Sequence, residues 1–347
     1  MLIFALFSPV YLFVLKGFQP QPNTPFGEKL KNIDWLGVVL NAAVYVFYVI
    51  PFTFGGASWA WSDGRSITLI VLFGVSLILF VLQQGTAFLT TTTRRLFPVD
   101  FLKRRTLVAL YVATSAAATS LFLTIYYIPL YFSFARGDSG IESAVRLLPF
   151  ICVVIFTVLL NGALLPKFDF YLPWYIVSGV FLTIGGSLMY ALVDATTAPS
   201  KIYGFTVIIA IGSGISQQAA YSIAPAKVGF QRASDAVGFI NVAQIGAVVI
   251  ALTISYATFQ NLGFSHVNAA LVGLGFSAED IHAALAGAKS DIFTNVSPEV
   301  RHAVIAGIVK AISNGYILVI VSGILTLISC VFLRWERLFM EASAGGA

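Results

Sequence analysis

The residues best suited to chemistry in this sequence are amides that lie inside apolar stretches. An amide both donates and accepts hydrogen bonds, so in apolar surroundings it either lines a polar cavity or bridges two helices. Gln217, Gln218 and Tyr221 cover about one turn of one predicted helix, and two further amides follow at i,i+3 spacing on the next. Both interpretations fit these residues equally well. The substrate-cavity candidates are Asn161, Gln217, Gln218, Tyr221, Asn241 and Gln244.

A second group consists of aromatic residues at the end of the apolar block 107–132 and of charged residues just after it. Tyrosines at such a position are typical of a membrane interface. The i,i+4 spacing of Glu142 and Arg146 would allow an ion pair across one helical turn. The group is either a gate-like outer rim or an ordinary solvated loop. The outer-rim candidates are Tyr126, Tyr127, Arg136, Asp138, Glu142 and Arg146.

Other kinds of chemistry find little support in the sequence. The 15 acidic residues lie in connections, in the tail or at the ends of apolar blocks, and the 3 histidines fall in one connection, where we expect them to be solvated. No nucleophile triad, metal cluster or phosphate loop is apparent, so we expect no enzyme, no metal and no cofactor. The glycines of Gly212-Ser-Gly214 lie within an apolar helix, which favours close helix packing over nucleotide binding.

Composition predicts the elements that must position these residues. Hydrophobic residues make up 58% of the 347 positions and charged residues 10%, and the apolar residues form blocks close to the roughly 20 residues that cross a bilayer. Cys152 and Cys330 both lie inside such blocks. We therefore predict an all-α polytopic membrane protein with about nine spans. The blocks are 2–15, 33–56, 67–84, 107–132, 148–165, 171–193, 202–223, 237–257 and 314–333.

Charge predicts how the spans are oriented. Thirteen of the 20 Lys and Arg residues lie in alternate connections, from the one at 16–32 to the tail that begins at Arg334. Because cytoplasmic loops retain basic residues, the C-terminus is predicted to be cytoplasmic. The connection 257–313, with helix starts at Ser277 and Ser297, is then outside. The net charge of +5 is spread between spans, which argues against nucleic-acid binding.

The first block is shorter than a comfortable span and lacks the features of a signal peptide. We interpret residues 2–15 as a helix cut at its N-terminal end, with a short anchoring helix as the alternative.

Several long segments resemble one family. The stretch "YYIPLYFSFARGDSGIESAVRLLPF" is similar to the fourteen-spanner drug:proton antiporters of the major facilitator superfamily, after the first helix of their C-terminal half. "NIDWLGVVLNAAVYVFYVIPFTFGGASWAWSDGR" resembles their extra pair of linker helices, and "IGSGISQQAAYSIAPAKVGFQRASDAVGFINVAQIG" resembles their fourth and fifth C-terminal helices. The Trp-Ser-Asp-Gly motif and the aromatic-rich segments look most like those of fungal members that export toxins and drugs.

This resemblance implies an N-terminally truncated, partial major facilitator fold. Residues 1–15 would be the last helix of the N-terminal bundle, 16–106 loops and two linker helices, 107–333 the C-terminal six-helix bundle, and 334–347 a cytoplasmic tail. The implied function is export of small amphipathic compounds by proton antiport, through residues not visible in this chain. The implied partners are the lipid bilayer, the substrate and protons. The alternative is a non-transporting remnant or an incorrectly assigned gene product. The implied location is the plasma membrane, with the vacuolar membrane as the alternative.

Overall fold

The computed structural model describes residues 2–10, 25–56, 58–287 and 292–338, and every regular element in these residues is helical. Two short 3-10 turns, Val99–Lys103 and Phe230–Arg232, join longer helices. The α-helices are α1 Leu2–Pro9, α2 Phe26–Lys31, α3 Trp35–Phe54, α4 Gly64–Thr86, α5 Arg105–Arg136, α6 Gly140–Val145, α7 Leu148–Phe168, α8 Leu172–Leu192, α9 Pro199–Gln217, α10 Ala219–Val228, α11 Ala233–Ala270, α12 Ala278–Ala286, α13 Ile292–Asn295, α14 Pro298–Gly315 and α15 Ile317–Phe332.

Eight helical segments in the described residues are long and apolar enough to cross a bilayer. They coincide with eight of the nine predicted blocks, which confirms a multi-pass membrane protein. For the remaining block, 2–15, the structure describes residues 2–10 as mostly helix α1, and residues 11–15 lie outside the described residues. Two of the spans are interrupted, because α9 gives way to α10 at Gln218 and α14 gives way to α15 at Tyr316.

Polar caps fix where the helices begin. The side chains of Asp34 and Asp63 accept backbone N–H groups at the starts of α3 and α4. Ser277 and Asp280 form a capping box at α12, and Ser297 caps α14 just before Pro298. The predicted helix starts at Ser277 and Ser297 are thereby confirmed.

The connection predicted at 257–313 is mostly helical. Helix α11 continues to Ala270, and α14 already begins at Pro298. At 1.5 Å per residue the 38 residues of α11 are about 57 Å long, well beyond the roughly 30 Å of hydrocarbon. The predicted apolar block ends before the helix does, because hydropathy marks only the part that can lie in hydrocarbon, whereas backbone hydrogen bonding continues to Ala270.

Helix α5 is the centre of a six-span bundle. It packs against α9, α11, α14 and α15, while α8 packs against α9 and α15, and α7 packs against α9. The α3–α4 hairpin joins this bundle through α11, where the Tyr48 hydroxyl donates to the Ile250 carbonyl at 3.3 Å. Only 11% of the most apolar window of α3 is buried, against 61% for α5. Most of the surface of α3 is therefore left uncovered by the other described residues.

Candidate functional site

A polar surface joins α10 to α11. The hydroxyl of Tyr221 donates to Gln244 Oε1 at 2.5 Å and lies 3.2 Å from Asn241 Oδ1. Asn241 is exposed, whereas Tyr221 and Gln244 are half-buried. The three side chains thus meet through the Tyr221 hydroxyl, a contact between helices that the i,i+3 spacing of Asn241 and Gln244 does not by itself predict.

Gln218 extends this surface at the break between α9 and α10. It is exposed, and its carbonyl accepts the N–H of Tyr221 at 3.1 Å in a 3-10 turn. Such a local change in hydrogen bonding is where long helices kink. Gln218, Tyr221, Asn241 and Gln244 are called the polar face below.

Asn161 and Gln217 lie elsewhere, within the packing of α7 against α9. Asn161 is 4% exposed and Gln217 3% exposed, and neither Asn161 Nδ2 nor Gln217 Oε1 has a hydrogen-bond partner among the described residues. Thr157 of α7 packs on Gly214 of α9. Asn161 lies one turn after Thr157 on α7, and Gln217 lies about one turn after Gly214 on α9. Both side chains are therefore buried, and Asn161 Nδ2 and Gln217 Oε1 form no hydrogen bond that bridges helices within the described residues.

Among the outer-rim candidates, Arg146 makes the most contacts with neighbouring side chains. Its Nε donates to Asp138 at 2.9 Å, its Nη1 donates to the Tyr203 hydroxyl at 3.1 Å, and the guanidinium lies over the ring of Phe132. The Glu142–Arg146 pair that the spacing allows is not formed among the described residues. Glu142 instead accepts the N–H of Ser139, because it occupies the third position of a capping box. A cleft of about 520 Å³ opens beside these side chains.

The other outer-rim candidates divide between surface and core. Arg136 donates to the Thr197 carbonyl at 2.8 Å and so ties the end of α5 to the connection before α9. Tyr126 is 37% exposed. Tyr127 is fully buried, where it accepts a hydrogen bond from Ser255 Oγ at 2.6 Å. Tyr127 is therefore a core residue and not part of the outer rim. It differs from its neighbour Tyr126 because adjacent residues on a helix point about 100° apart.

Two of the three histidines are also less exposed than expected. His266 and His282 are half-buried, and His282 stacks on Phe264 with a centroid separation of 4.9 Å. Burial lowers the pKa of His282. Only His302 is exposed as predicted. His266 and His282 are partly buried because α12 packs against the C-terminal part of α11.

The sequence interpretation did not include a buried carboxylate centre at the end of the hairpin. Asp34, 5% exposed, accepts Gly37 N at 2.9 Å, Gln83 Nε2 at 3.0 Å and Gln84 Nε2 at 2.8 Å. It also accepts Leu96 N at 3.1 Å. An aspartate before an apolar block and two glutamines at the end of the next one were the available signals.

An ionic cluster continues from this centre to the bundle. Asp100 is bound by the guanidinium of Arg232, which holds the pKa of that carboxyl below its usual range, and also by Arg95. Arg232 lies over the ring of Phe101 as well. Within the described ranges, no three histidine, cysteine or acidic side chains converge as a metal site would require.

Known proteins resemble the chain closely in sequence. It is 40% identical over 340 residues to the Efflux pump patC of Aspergillus clavatus and to the MFS-type transporter patC of Penicillium expansum. Those matches cover 97% of this chain and 61% and 62% of the two relatives. The Efflux pump alnA of Emericella nidulans is 36% identical over 342 residues. The chain thus spans about three fifths of the length of the curated relatives it matches.

Solved structures resemble the chain in fold. A bacterial homologue of the human lysosomal transporter Spinster, inward-facing and unoccupied, superposes with a TM-score of 0.52 at 16% identity. The match covers 87% of this chain and 66% of that one. No family model matches the chain.

Proposed function

We propose that the chain forms part of an efflux carrier for small amphipathic compounds, because it is similar along 97% of its length to proteins named as an efflux pump and an MFS-type transporter and resembles part of a solved transporter fold. The observation that carries the proposal is the long match to proteins named as efflux pumps and transporters. The polar face is uncharged and lies within a largely apolar wall, which suits a compound with few hydrogen-bonding groups.

The polar face would supply one wall of the substrate cavity. Transporters of this fold bind substrate between two bundles, often where a helix is interrupted. The break at Gln218 beside Tyr221 and Asn241 has this character. In the same proposal, α3 and α4 are the linker pair, and the six spans from α5 to α15 are the C-terminal bundle.

Proton antiport is the proposed source of energy, on the basis of the family resemblance. A proton-coupled carrier needs a titratable group within its spans. The acidic residues of this sequence lie in connections, in the tail or at the ends of spans, so no carboxylate coupling group is visible in this chain. The proposed location is the plasma membrane, with the vacuolar membrane as the alternative and the C-terminus in the cytoplasm.

The test is a hybrid carrier in which this chain replaces the matched 61% of the Aspergillus clavatus Efflux pump patC. Retention of rhodamine 6G would be measured in yeast cells that lack their own efflux pumps, with the complete relative as reference. We expect the hybrid to lower retained dye and an uncoupler to restore it, while this chain alone moves no dye.

Two asparagines of α11 provide a matched pair of variants within the hybrid. Asn241→Ala removes an amide of the polar face, whereas Asn268→Ala removes an exposed amide near the far end of the same helix. We expect extrusion to fall roughly 3- to 10-fold in the first variant, as for the loss of a hydrogen bond, and to stay unchanged in the second. A hybrid that reaches the membrane at the level of the relative but extrudes no dye would refute the proposal. Equal effects of the two variants would show that the polar face is not part of the substrate cavity.

A further inference from the structure

A basic pocket and an apolar groove meet at the end of the bundle that the charge pattern predicts to be cytoplasmic. The pocket has a volume of about 540 Å³, and its charged lining is Lys103, Arg104, Arg105, Lys227, Arg334 and Glu336. The groove, about 410 Å³, runs between α5 and α15 along Val108, Val112 and Ile328. Lys103 and Arg105 line both. The two spaces are therefore neighbours, one basic and one apolar.

The basic pocket holds more positive charge than its carboxylate can neutralise. Glu336 pairs with Lys227 at 3.0 Å and also accepts the hydroxyl of Tyr171 at 2.9 Å. Burial raises the pKa of Glu336, but the hydrogen bonds from Lys227 and Tyr171 outweigh that effect and lower it, so this carboxylate stays ionised.

Four cations of the lining remain, Arg334 and the three consecutive residues at the start of α5. Lys103, Arg104 and Arg105 are exposed, and none has a carboxylate at ion-pair distance within the residues that the structure describes. They lie at the N-terminus of the 32-residue helix α5, where the helix dipole adds further positive potential. Like charges this close repel one another, so an anion in the pocket would be stabilised.

Aromatic residues place this pocket at the level of lipid headgroups. The rings of Phe168 and Trp174 lie together, as do those of Phe170 and Trp335, around a small cleft at the same end of the bundle. The side chain of Trp335 is 66% exposed just after α15 ends. Tryptophan in such a position is typical of the boundary between hydrocarbon and headgroups.

We propose that the pocket and the groove bind one anionic phospholipid. The headgroup phosphate contacts Lys103, Arg104 and Arg105, and an acyl chain lies in the groove between α5 and α15. Basic pockets between spans on the cytoplasmic side have the chemistry that anionic headgroups require. The apolar groove distinguishes a lipid from a soluble anion, because only a lipid would fill both spaces. A bound lipid would join the central helix α5 to the last span of the bundle.

The test measures lipid retention by the purified chain in a neutral detergent, using native mass spectrometry. Phosphatidylserine would be compared with phosphatidylcholine of identical acyl chains. The triple variant Lys103→Gln, Arg104→Gln, Arg105→Gln is expected to bind phosphatidylserine roughly 100-fold more weakly, at the usual contribution of each basic residue near an anionic surface. The matched control, Lys29→Gln, Lys31→Gln, Arg94→Gln, removes the same charge from the same predicted side but outside the pocket. Equal losses in both triples would overturn the proposal.

A second arm separates a lipid from a free phosphate. Ile328→Trp fills the groove with a ring at a position that is 51% exposed, so folding should be preserved. We expect this variant to weaken retention of phosphatidylserine severalfold, and a large excess of inorganic phosphate to leave the lipid bound to the unaltered chain. If phosphate displaces the lipid, or if Ile328→Trp has no effect, the site recognises an anion alone and the proposal fails.

Discussion

At the scale of single residues, glycines decide how closely the spans approach. Gly212 is in contact with α8, and Ser178 Oγ donates to the Gly212 carbonyl at 2.7 Å. Gly315 leaves room for the buried ring of Tyr127. Without a hydrophobic driving force in lipid, close packing of this kind is a main source of helix association. Small residues therefore contribute more to this fold than their size suggests.

We predict that Gly214→Ala lowers thermal stability. A Cβ at this position would overlap Thr157 Oγ1 and would lie 2.9 Å from the backbone oxygen of Val154, which cannot rotate away. Overpacking of this kind costs about 1–3 kcal/mol. The unfolding midpoint of the purified protein in detergent is the measurement. Gly204→Ala in the same helix is the control, because nothing lies within 4 Å of its added Cβ. Equal midpoints for the two variants would contradict the prediction.

At the scale of elements, the Asp34 centre holds three segments together. Its carboxylate caps α3, binds the two glutamines at the end of α4 and fixes the loop at Leu96. The ionic cluster at Asp100 then connects this loop to Arg232, just before α11. The hairpin is thus attached to the bundle at its polar end as well as through α11.

We predict that Asp34→Asn loosens this attachment. The variant replaces one of two accepting oxygens with a donor, so buried N–H groups lose a partner at a cost of about 1–3 kcal/mol each. Limited proteolysis between Ala87 and Arg95, together with thermal unfolding, would show the effect. Asp63→Asn is the matched control, since Asp63 also caps a span but is partly exposed and binds Arg65 locally. Equal protease sensitivity in the two variants would count against this role of Asp34.

Docking of α12 is predicted to weaken in mild acid. The pKa of His282 is lowered by burial from 6.5, so a detached α12 binds a proton more readily than a docked one. The stability from this contact is present above about pH 6.5 and is lost as the pH falls through the lower pKa of the docked state. Hydrogen exchange of residues 278–286 should therefore be faster at about pH 5.5 than at pH 7.5, after correction for intrinsic rates.

Two variants test the assignment to His282. His282→Phe keeps the stacking on Phe264 and should remove the pH dependence, whereas His302→Phe alters an exposed histidine and should retain it. Asp280 does not contribute in this range, since its hydrogen bonds with Ser277 lower its pKa below 3.8. A pH response that persists in His282→Phe would assign the effect to another group.

At the scale of the whole molecule, the two ends of the bundle differ in character. One end carries the basic pocket, the Asp100 cluster and the interfacial aromatic residues. The other carries the Arg146 cluster and the helical extension formed by α11, α12 and α14. Lysine and arginine are retained on the cytoplasmic side of a membrane protein, which sets the orientation that we propose.

The orientation predicts an asymmetric labelling pattern in intact cells. In a background with Cys152→Ser and Cys330→Ala, Asn268→Cys should react with a membrane-impermeant maleimide from outside. Thr91→Cys, equally exposed but on the predicted cytoplasmic side, should react only after permeabilisation. The reverse pattern would invert the topology and would place the basic pocket at the outer leaflet.

The sequence alone determined which segments are spans and where several helices begin. Span length follows from the thickness of the bilayer, and helix starts follow from side chains such as Ser277 and Ser297 that cap locally. Neither property needs knowledge of the neighbouring helices. The family resemblance was also carried by contiguous stretches of sequence.

Tertiary structure decided which way each polar side chain faces. Gln217 and Gln218 are adjacent in the chain, but one lies between helices and the other on the polar face. In water, the apolar stripe of a helix would reveal its buried side. In lipid both sides of a span are apolar, so the rotation of each helix is fixed by packing and stays hidden in the sequence. Arg146 pairs with Asp138 for a different, local reason, because Glu142 is bound in the capping box with Ser139.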